Sequence, residues 1–392
     1  MKNIFFVLCC FLFFSFNAAS QINPAHTRVS ILTVAPGDDL YSLFGHTAIR
    51  FIDSSTHQDI VFNWGGFTFE QPGFYLKFMR GRLQYFSFGD YFPDFMSEYV
   101  EEKRNVYEQV LDLDSAARKR IIDAVIFNST GDNKFYKYDF LLDNCTTRVK
   151  NIVFENDKEL HIDSSIVPPG TTARDMIHYY LERGNQLWTE LGIDILLGSR
   201  VDRKVSNDEA MFLPEFFMKG LNDAEDSTQP FVEQFKTIYK GNDEQVTAWK
   251  YMPLTVTAIS CLLLFFISAL KTKWAKAIIK FVDILLLYVT GLIGVLLLFM
   301  WFATDHTVCK GNLNIAWALP TNFIAAFFMI RKSTWLSTYF LIAAIITGLL
   351  LAIWFWVPQQ INIALLPVVL FLFNRYTVFA SLYKNKYLRA AA

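Results

Sequence analysis

The pattern of apolar and polar residues changes near residue 250. Before that point, short stretches alternate between apolar and polar positions, as in "RVSILTVA" (28–35), "HTAIRFID" (46–53) and "DIVFNWGG" (59–66). Alternation of this kind is typical of strands with one buried face. After residue 250, apolar residues follow one another with few breaks. The pattern therefore predicts an α+β domain followed by a membrane domain.

Helices are predicted by their end signals. The stretch 114–129 begins with Asp114 or Ser115 as an N-cap, and the stretch 171–184 begins with a threonine cap and ends on Gly184. In "YKYDFLLDNCTTRVKNIVFEN" (136–156) an extended chain turns into a helix at Asn144–Cys145. Helices thus alternate with strands throughout the first half of the chain.

The second half contains five apolar segments that are long enough to be membrane helices, each near the roughly 20 residues that span the hydrocarbon core. They lie at about 253–270, 281–302, 314–330, 336–356 and 362–380. Lysine and arginine concentrate in alternate connections and in the C-terminal tail, whereas the loops 303–313 and 357–361 together hold a single lysine. By the positive-inside rule the basic connections and the C-terminus are cytoplasmic, and residue 250 is outside.

The N-terminus, "MKNIFFVLCCFLFFSFNAAS", has the lysine, apolar run and small residues of a secretory signal peptide. It predicts the same orientation independently, because the residues that follow it are exported. The expected domains are the signal peptide (1–20), an exported domain (21–250) and a transmembrane domain of five helices (251–392).

Composition and charge exclude one class of function. Hydrophobic residues make up 53% of the chain and charged residues 19%, and the formal net charge is −1. Because a basic surface is absent from this balance, no nucleic-acid partner is expected.

The cysteines indicate chemistry rather than cross-linking. Of five, Cys9 and Cys10 belong to the signal peptide and Cys261 lies in an apolar run, which leaves Cys145 and Cys309 in exported surroundings. This is no disulfide framework. His306 and Cys309 have a spacing that resembles a metal pair, but two ligands do not make a zinc site, so neither a metal nor a cofactor is expected.

Cys145 is the candidate nucleophile. A thiol reacts as thiolate, and the start of a helix favours negative charge, as do the nearby Arg148 and Lys150. A histidine on an adjacent strand would complete the ion pair that activates a catalytic cysteine. His46 opens a strand directly after a glycine and is the preferred partner. The alternative is a structural histidine and an inert buried thiol.

Asn63 is the candidate for the group that orients His46. If the hairpin turns tightly through Ser54–His57, Asn63 lies diagonal to His46 on the same face of the sheet. A register slip of one residue would move it to the other face. The alternative is an asparagine that merely ends the strand before Gly65–Gly66.

"FGHTAIRF", followed much later by "NC" at a helix start, resembles the circularly permuted papain-like fold of permuted NlpC-type peptidases and lecithin:retinol acyltransferase-like enzymes. In those families the histidine precedes the cysteine. A longer set of motifs resembles the Lnb family of lipoprotein N-acyltransferases over residues 28–220: "PGDDLYSLFGHTAIRF", "VFNWGGFTF", "FYLKFMRGRLQY", "YDFLLDNCTTR", "ARDMIH" and "GIDILLG".

The resemblance implies an enzyme of the bacterial inner membrane with its catalytic domain in the periplasm. Cys145 would take an acyl chain from a phospholipid as a thioester, with His46 exchanging the proton. The α-amine of diacylglyceryl-cysteine on an apolipoprotein would then accept the chain. Both substrates are membrane lipids, so an enzyme held at the membrane need not extract them into water, which costs about 0.8 kcal/mol per CH₂.

Residues for substrate binding follow from the same resemblance. Arg80, Arg82 and Arg148 are candidates for the phosphate of the donor, with solvated surface as the alternative. Tyr85, together with Tyr41 and Trp64, is a candidate for the acyl groove, although aromatic residues in this chain also fill cores. His306, in the polar external loop "TDHTVCKGNLNIAWALP", is a candidate for headgroup binding, with a plain interfacial loop as the alternative.

Two other functions remain open. A tethered cysteine amidase or peptidase, or a phospholipid hydrolase, would use the same Cys–His pair, but one helix would suffice to anchor it. An exported sensor or assembly factor would carry the pair without using it.

Overall fold

The computed structural model describes residues 22–157, 160–162, 164–226, 229–241, 249–329, 333 and 335–390. The predicted signal peptide, residues 1–20, lies outside these residues. The described chain is mixed α/β, with a sheet domain first and apolar helices after it, as the hydrophobic pattern predicts. The boundaries at residues 20 and 250 stay predictions.

An antiparallel sheet forms the centre of the N-terminal half, with seven strands in the described residues and the order β10-β5-β1-β2-β3-β4-β6. These strands are β1 (Thr27–Val34), β2 (His46–Asp53), β3 (Gln58–Gly66), β4 (Gln84–Tyr91), β5 (Val106–Leu111), β6 (Phe135–Lys137) and β10 (Val232–Tyr239). A second, three-stranded sheet is formed by β7 (Leu160–Ile162), β8 (Ala224–Asp226) and β9 (Gln229–Pro230). The hairpin β2–β3 pairs Asp53 with Gln58, so the predicted tight turn at 54–57 is present.

Helices cover both faces of the larger sheet. They are α1 (Phe74–Met79), α2 (Phe92–Glu101), α3 (Ser115–Ser129), α4 (Cys145–Asn156), α5 (Ala173–Arg183), α6 (Leu187–Leu196), α7 (Asn207–Ala210) and α8 (Pro214–Asn222). One core joins Ile31 and Ile49 of the sheet to α3, α4, α5 and α8. The opposite side chains of the same strands, such as Leu32 and Ala48, pack against α2. Period-two alternation thus supplies two cores from one set of strands.

The predicted helix ends are confirmed. Asp114 caps α3 through the N–H of Ala117, and Thr172 and Asp175 form a reciprocal capping box on α5. Gly184 terminates α5. Each cap satisfies backbone groups that a helix leaves open, which typically stabilises it by about 1 kcal/mol.

The C-terminal half contains five apolar α-helices in its described residues, one in each predicted segment: α9 (Met252–Ala269), α10 (Lys273–Phe302), α11 (Asn322–Met329), α12 (Leu336–Ala352) and α13 (Leu366–Ala390). Three helical stretches are long and apolar enough to cross a membrane, namely 252–269, 273–302 and 363–384, and α12 is slightly shorter.

The third segment differs from the expectation of one continuous helix over 314–330. Residues 313–316 form a short 3₁₀ turn, and α11 begins only at Asn322. Pro320 cannot donate a backbone hydrogen bond. In addition, the side chains of Asn312 and Asn314 bond to the sheet domain, so this chain is held across the domain boundary.

Polar groups inside the helix bundle are paired. Asp283 of α10 accepts two hydrogen bonds from Arg375 of α13, at 2.7 and 2.8 Å. Asn322 donates to Thr290 and Tyr376 and accepts from Tyr339. Because an unpaired polar group in hydrocarbon is costly, these contacts fix which helix faces meet.

The two halves are joined at the C-terminal end of α6. Amide side chains from both predicted external loops donate to its last carbonyl groups: Asn312 to Ile195 and Leu196, Asn314 to Asp194 and Ile195, and Gln359 to Leu197. Asn362 also donates to the Asp194 carboxylate at 2.8 Å. These bonds satisfy carbonyl groups that a helix end leaves open.

Arg174 stabilises this junction from the sheet domain. It is fully buried and bonds the carboxylates of Asp194 and Asp202. We expect Arg174→Met to destabilise the chain by about 3–5 kcal/mol, because it removes the buried cation that bonds both the Asp194 and the Asp202 carboxylates. Thermal unfolding of the full chain in detergent measures this.

The matched control is Arg120→Met, which removes an exposed arginine with one hydrogen bond to the Asn156 carbonyl. Equal unfolding temperatures for the two variants would contradict a structural role for the buried arginine.

Candidate active site

Cys145 is the first residue of α4, and Asn144 fixes its position. The Asn144 side chain accepts the N–H of Thr147, whose hydroxyl accepts the N–H of Asn144 in return. The Asn144 amide also donates to the carbonyls of Phe140 and Phe212, at 2.8 and 2.9 Å. Asn144 is thus held on three sides, and the adjacent thiol sits at a fixed helix N-terminus.

His46 is the first residue of β2 and lies beside this helix end. Gly45 adopts the left-handed conformation (φ 82°), where a Cβ would approach the Val34 carbonyl to 2.6 Å, so the turn into the strand requires glycine. The neighbouring residue Thr47 contacts Thr146 of α4 through their hydroxyls at 3.1 Å. This packing of β2 against α4 brings the imidazole within hydrogen-bonding reach of the Cys145 thiol.

Asn63 lies on the same face as His46, as the hairpin geometry predicts. Its Oδ1 is 3.0 Å from His46 Nε2. Because Nε2 is engaged by Asn63, Nδ1 is the nitrogen that remains for the sulfur. The structure therefore brings Cys145, His46 and Asn63 into one hydrogen-bonded line, although they come from three separate elements.

The opposite charges of the Cys145 thiolate and the His46 imidazolium stabilise each other. Burial raises the pKa of the Cys145 thiol, but the His46 charge and hydrogen bond, with the Thr47 N–H and the Thr146 hydroxyl, lower that pKa to about 7. Burial lowers the pKa of His46, yet the nearby thiolate and the hydrogen bond that His46 donates to Asn63 leave it raised overall. Near neutral pH the arrangement favours a thiolate–imidazolium pair.

Asp90 extends the line and was not predicted from the sequence. Asn63 Nδ2 donates to Asp90 Oδ2 at 3.3 Å. Because a carboxylate only accepts, this bond keeps the amide oxygen of Asn63 directed at His46, which then donates from Nε2. The strand register explains the contact: Asn63 pairs with Phe88, which puts Asp90 at the diagonal position on β4. The sequence carried no local signal for this register, because residues 67–83 separate the two strands.

A groove of about 580 Å³ opens over the pair, within the range of small-molecule sites. One part of its lining is apolar and aromatic, including Phe67, Tyr85, Phe88 and Phe140. Another part carries carboxylates from Asp90, Asp94 and Glu98. The pKa of Asp90 is raised, first by burial and second by the charges of Asp94 and Glu98. The groove thus offers an apolar side and an anionic side.

The aromatic residues suggested for an acyl groove all line this cavity. Tyr85 is half-buried and packs on Tyr138 with ring centroids 4.8 Å apart. Trp64 is buried in the core beneath the groove, and Tyr41 is exposed at its rim.

The basic residues suggested for phosphate binding separate into two places. Arg148 makes a two-point ion pair with Asp143 and lies over the Tyr136 ring. Arg82 makes a two-point ion pair with Asp305. Neither lines the groove, and each already has a carboxylate partner.

Arg80 and His306 lie beside Arg82. The Arg80 carbonyl accepts the N–H of Asp305, and the His306 ring contacts the Phe78 carbonyl at 3.3 Å. Within the described residues the Arg80 Nε has no hydrogen-bond partner. His306 and Asp305 line a cavity of about 210 Å³ whose wall includes Tyr85, Tyr138 and Phe140, which also line the groove.

Arg104 is a second residue that the sequence analysis missed. It lines the groove, is 6% exposed, and donates to the Ala35 carbonyl and to Glu102. Its Nη2 has no partner among the described residues. Its positive charge acts on His46 by lowering the histidine pKa, and nothing in the local sequence marked it.

A larger cavity of about 680 Å³ lies elsewhere, at the junction of the two halves. Its lining holds His178 and Glu190 but no cysteine. His178, Glu190 and Asp194 could in principle share a metal ion. However, both Asp194 oxygens are already bonded, to Arg174, His178 and Asn362. Asp194 therefore belongs to an internal ion-pair network with Arg174 and His178.

Comparison with known families agrees with the resemblance seen in the sequence. Residues 15–179 match the Lnb N-terminal periplasmic domain, which includes His46 and Cys145, and residues 244–386 match the Lnb transmembrane domain. The chain therefore belongs to the Lnb family. It is an inner-membrane protein with a periplasmic domain, of the lipoprotein-maturation type. No curated protein and no solved structure matches it.

We expect the alkylation of Cys145 by iodoacetamide to rise with pH and to be half-maximal near pH 7, because the thiolate is the reacting form. His46→Ala removes the largest effect that opposes burial, so the midpoint should rise by about one pH unit or more. Peptide mass spectrometry measures the rate of Cys145 alkylation at each pH. Cys309 is the internal reference, since burial raises its pKa to about 11. An unchanged midpoint in His46→Ala would contradict the pairing.

Asp90 is expected to act through Asn63. Asp90→Ala frees the amide to rotate, which weakens its bond to His46 and should raise the Cys145 midpoint by less than His46→Ala does. Asp90→Asn keeps an acceptor oxygen and should restore the wild-type midpoint. Asp94→Ala is the matched control, because it removes a neighbouring charge without touching Asn63. Equal shifts in Asp90→Ala and Asp94→Ala would show an effect of charge alone.

Proposed function

We propose that this protein transfers an acyl chain from a membrane phospholipid to the α-amine of diacylglyceryl-cysteine on apolipoproteins, through a thioester on Cys145. The observation that carries the proposal is the Cys145–His46–Asn63 line, with its lowered thiol pKa, beneath a groove that has an apolar wall. Family membership supports the same class of reaction.

In the first half-reaction the Cys145 thiolate attacks the ester carbonyl of the phospholipid. A C–S bond forms, the ester C–O bond breaks, and the departing oxygen takes the proton of the His46 imidazolium to give a lysophospholipid. A helix leaves the N–H groups of its first turn without partners in the helix, and in α4 Asn144 takes that of Thr147, which leaves those of Cys145 and Thr146 nearest the sulfur. They are suited to stabilise the oxyanion that develops beside the sulfur.

In the second half-reaction the acceptor amine attacks the thioester. The C–N bond forms, the C–S bond breaks, and neutral His46 accepts the proton that the amine loses, which restores the thiolate–imidazolium pair. The amine reaches the membrane surface as an ammonium ion, so it first releases one proton to water, and His46 takes the second proton when the C–N bond forms. The carboxylates of Asp90, Asp94 and Glu98 give the groove a wall that suits a cationic acceptor better than a second anion.

The helix start and strand start that carry the pair, with histidine before cysteine in the chain, also fit the permuted papain-like architecture. In this chain Asn63 orients the imidazole and Asp90 orients Asn63. The two substrates would occupy the groove in turn, since the same sulfur must meet both.

Mass spectrometry of lipoprotein N-terminal peptides tests the proposal in cells that lack their own N-acyltransferase. We expect the wild-type chain to add one acyl chain and Cys145→Ala to add none. Cys309→Ala is the matched control, because it removes a buried thiol outside the groove and should acylate normally.

The other outcomes are equally informative. A well-expressed wild type that adds no chain would contradict N-acylation and favour a membrane-tethered hydrolase with the same Cys–His pair. Equal acylation by the wild type and Cys145→Ala would remove Cys145 from the centre of the reaction.

A further inference from the structure

The segment between β3 and β4 exposes an unusual amount of apolar surface. Large apolar side chains along residues 67–79, the aromatic segment, point outward, with Phe69 71% and Tyr75 77% exposed. The exposed members are Phe67, Phe69, Tyr75, Leu76, Phe78 and Met79. Isolated exposed apolar residues are ordinary on a soluble domain, but a contiguous group of this size indicates a binding surface.

The aromatic segment is rigid rather than loosely attached. Phe74 stacks with Phe78 and packs against Phe67 and Phe69, with ring centroids 4.8 to 6.3 Å apart. Left-handed glycines bound its helix, Gly73 before it and Gly81 shortly after it. The exposed rings are thus carried by an aromatic segment whose side chains pack on one another.

Contacts with the transmembrane half fix the position of the aromatic segment relative to the membrane surface. The segment continues into Arg80, whose carbonyl accepts the N–H of Asp305. Arg82 follows, and its side chain makes a two-point ion pair with the Asp305 carboxylate. Asp305 follows the end of α10 by three residues. Because α10 is long and apolar enough to span a membrane, the aromatic segment is held where that helix leaves the bilayer.

The charges around the segment suit a lipid surface. Lys77, Arg80 and Arg82 lie within it or in the three residues after it, against one acidic residue within it, Glu70. The Arg82 charge is paired with Asp305, which leaves Lys77 and Arg80 for the lipid phosphates. Basic residues beside exposed aromatic rings are typical of elements that lie in the membrane interface, with rings among the acyl chains and cations at the phosphates. The carboxylate wall of the groove lies among different residues, Asp90, Asp94 and Glu98.

The apolar surface is continuous with the groove. Phe67 belongs to the aromatic segment and also lines the groove that holds Cys145. Its ring is 5.5 Å from that of Tyr85, which lines both the groove and the smaller cavity beside Asp305. An acyl chain moving along this row would stay in contact with apolar side chains from the bilayer to the thiol.

We propose that the aromatic segment inserts into the periplasmic leaflet and admits the phospholipid sideways into the groove. The inference deepens the proposed function, since the route delivers the acyl donor to Cys145. Insertion keeps the acyl chain out of water during transfer, and exposure of its CH₂ groups to water is unfavourable.

Photo-crosslinking in vesicles of phosphatidylethanolamine and phosphatidylglycerol tests insertion without relying on activity. Benzoylphenylalanine placed at Phe69 or Tyr75 of the full chain should give phospholipid adducts by mass spectrometry. The matched control replaces Phe235, an exposed phenylalanine on β10 at the opposite edge of the sheet. Absence of adducts at Phe69 and Tyr75, or equal yield at Phe235, would overturn the inference.

A second measurement tests the route. The double variant Phe69→Glu/Tyr75→Glu should slow formation of the Cys145 acyl-thioester from vesicle phospholipid by about tenfold or more. It should leave alkylation of Cys145 by iodoacetamide unchanged, which shows that the pair is intact. Phe69→Leu/Tyr75→Leu keeps an apolar surface and should retain thioester formation. A full rate in the glutamate variant would overturn the route.

The two measurements separate this inference from the proposed function. Adducts at Phe69 and Tyr75 with no thioester in the wild type would defeat acyl transfer and still support the inserted segment. A thioester that forms normally without any adduct would support acyl transfer and defeat insertion.

Discussion

The hydrogen bonds at the C-terminal end of α6 fix how the sheet domain is joined to the membrane half. Carbonyl groups of residues 194–197 accept from Asn312, Asn314 and Gln359, so two loops of the membrane half replace the missing next turn of the helix. Arg174 of the sheet domain donates a hydrogen bond to the Asp194 carboxylate and balances its charge. Carbonyls at a buried helix end must find donors, and here the donors belong to the other domain. The sheet domain is therefore fastened to the helices in one orientation, and its groove keeps a fixed relation to the bilayer.

The arrangement around Cys145 is a product of packing between elements that are far apart in the chain. The helix start supplies the thiol, the strand after a left-handed glycine supplies His46, and the next strand supplies Asn63, which Asp90 orients. Each residue is held by bonds that do not involve the reacting atoms, including the bonds of Asn144 to the Phe140 and Phe212 carbonyls. Positioning of this kind reduces the reorganisation required when charge moves between sulfur and imidazole.

The distribution of charge and apolar surface around the groove is uneven, and the unevenness suits two different substrates. Carboxylates of Asp90, Asp94 and Glu98 line one part, whereas the aromatic row from Phe67 to Tyr85 leads toward Arg80 and Arg82 beside the membrane half. A phosphate would be attracted to these arginines, which lie outside the groove, and an ammonium group to the carboxylates that line it. A single thiol between them could then serve both steps of an exchange.

The sequence by itself determined the local and one-dimensional features. Alternation set the strands, caps set α3 and α5, and apolar length set the membrane segments, because these depend on neighbours along the chain. The hairpin predicted Asn63 beside His46 only on the condition of a tight turn, and the pairing of Asp53 with Gln58 in the structure decided that condition. The sequence could not determine that Arg82 and Arg148 are paired with carboxylates, that Asp90 and Arg104 border the site, or that α11 starts late. Those outcomes depend on residues more than twenty positions away in most cases, as with Arg82 and Asp305. Only the tertiary structure decided them, because an ion pair or a buried amide takes whichever partner the packing of whole elements brings within reach.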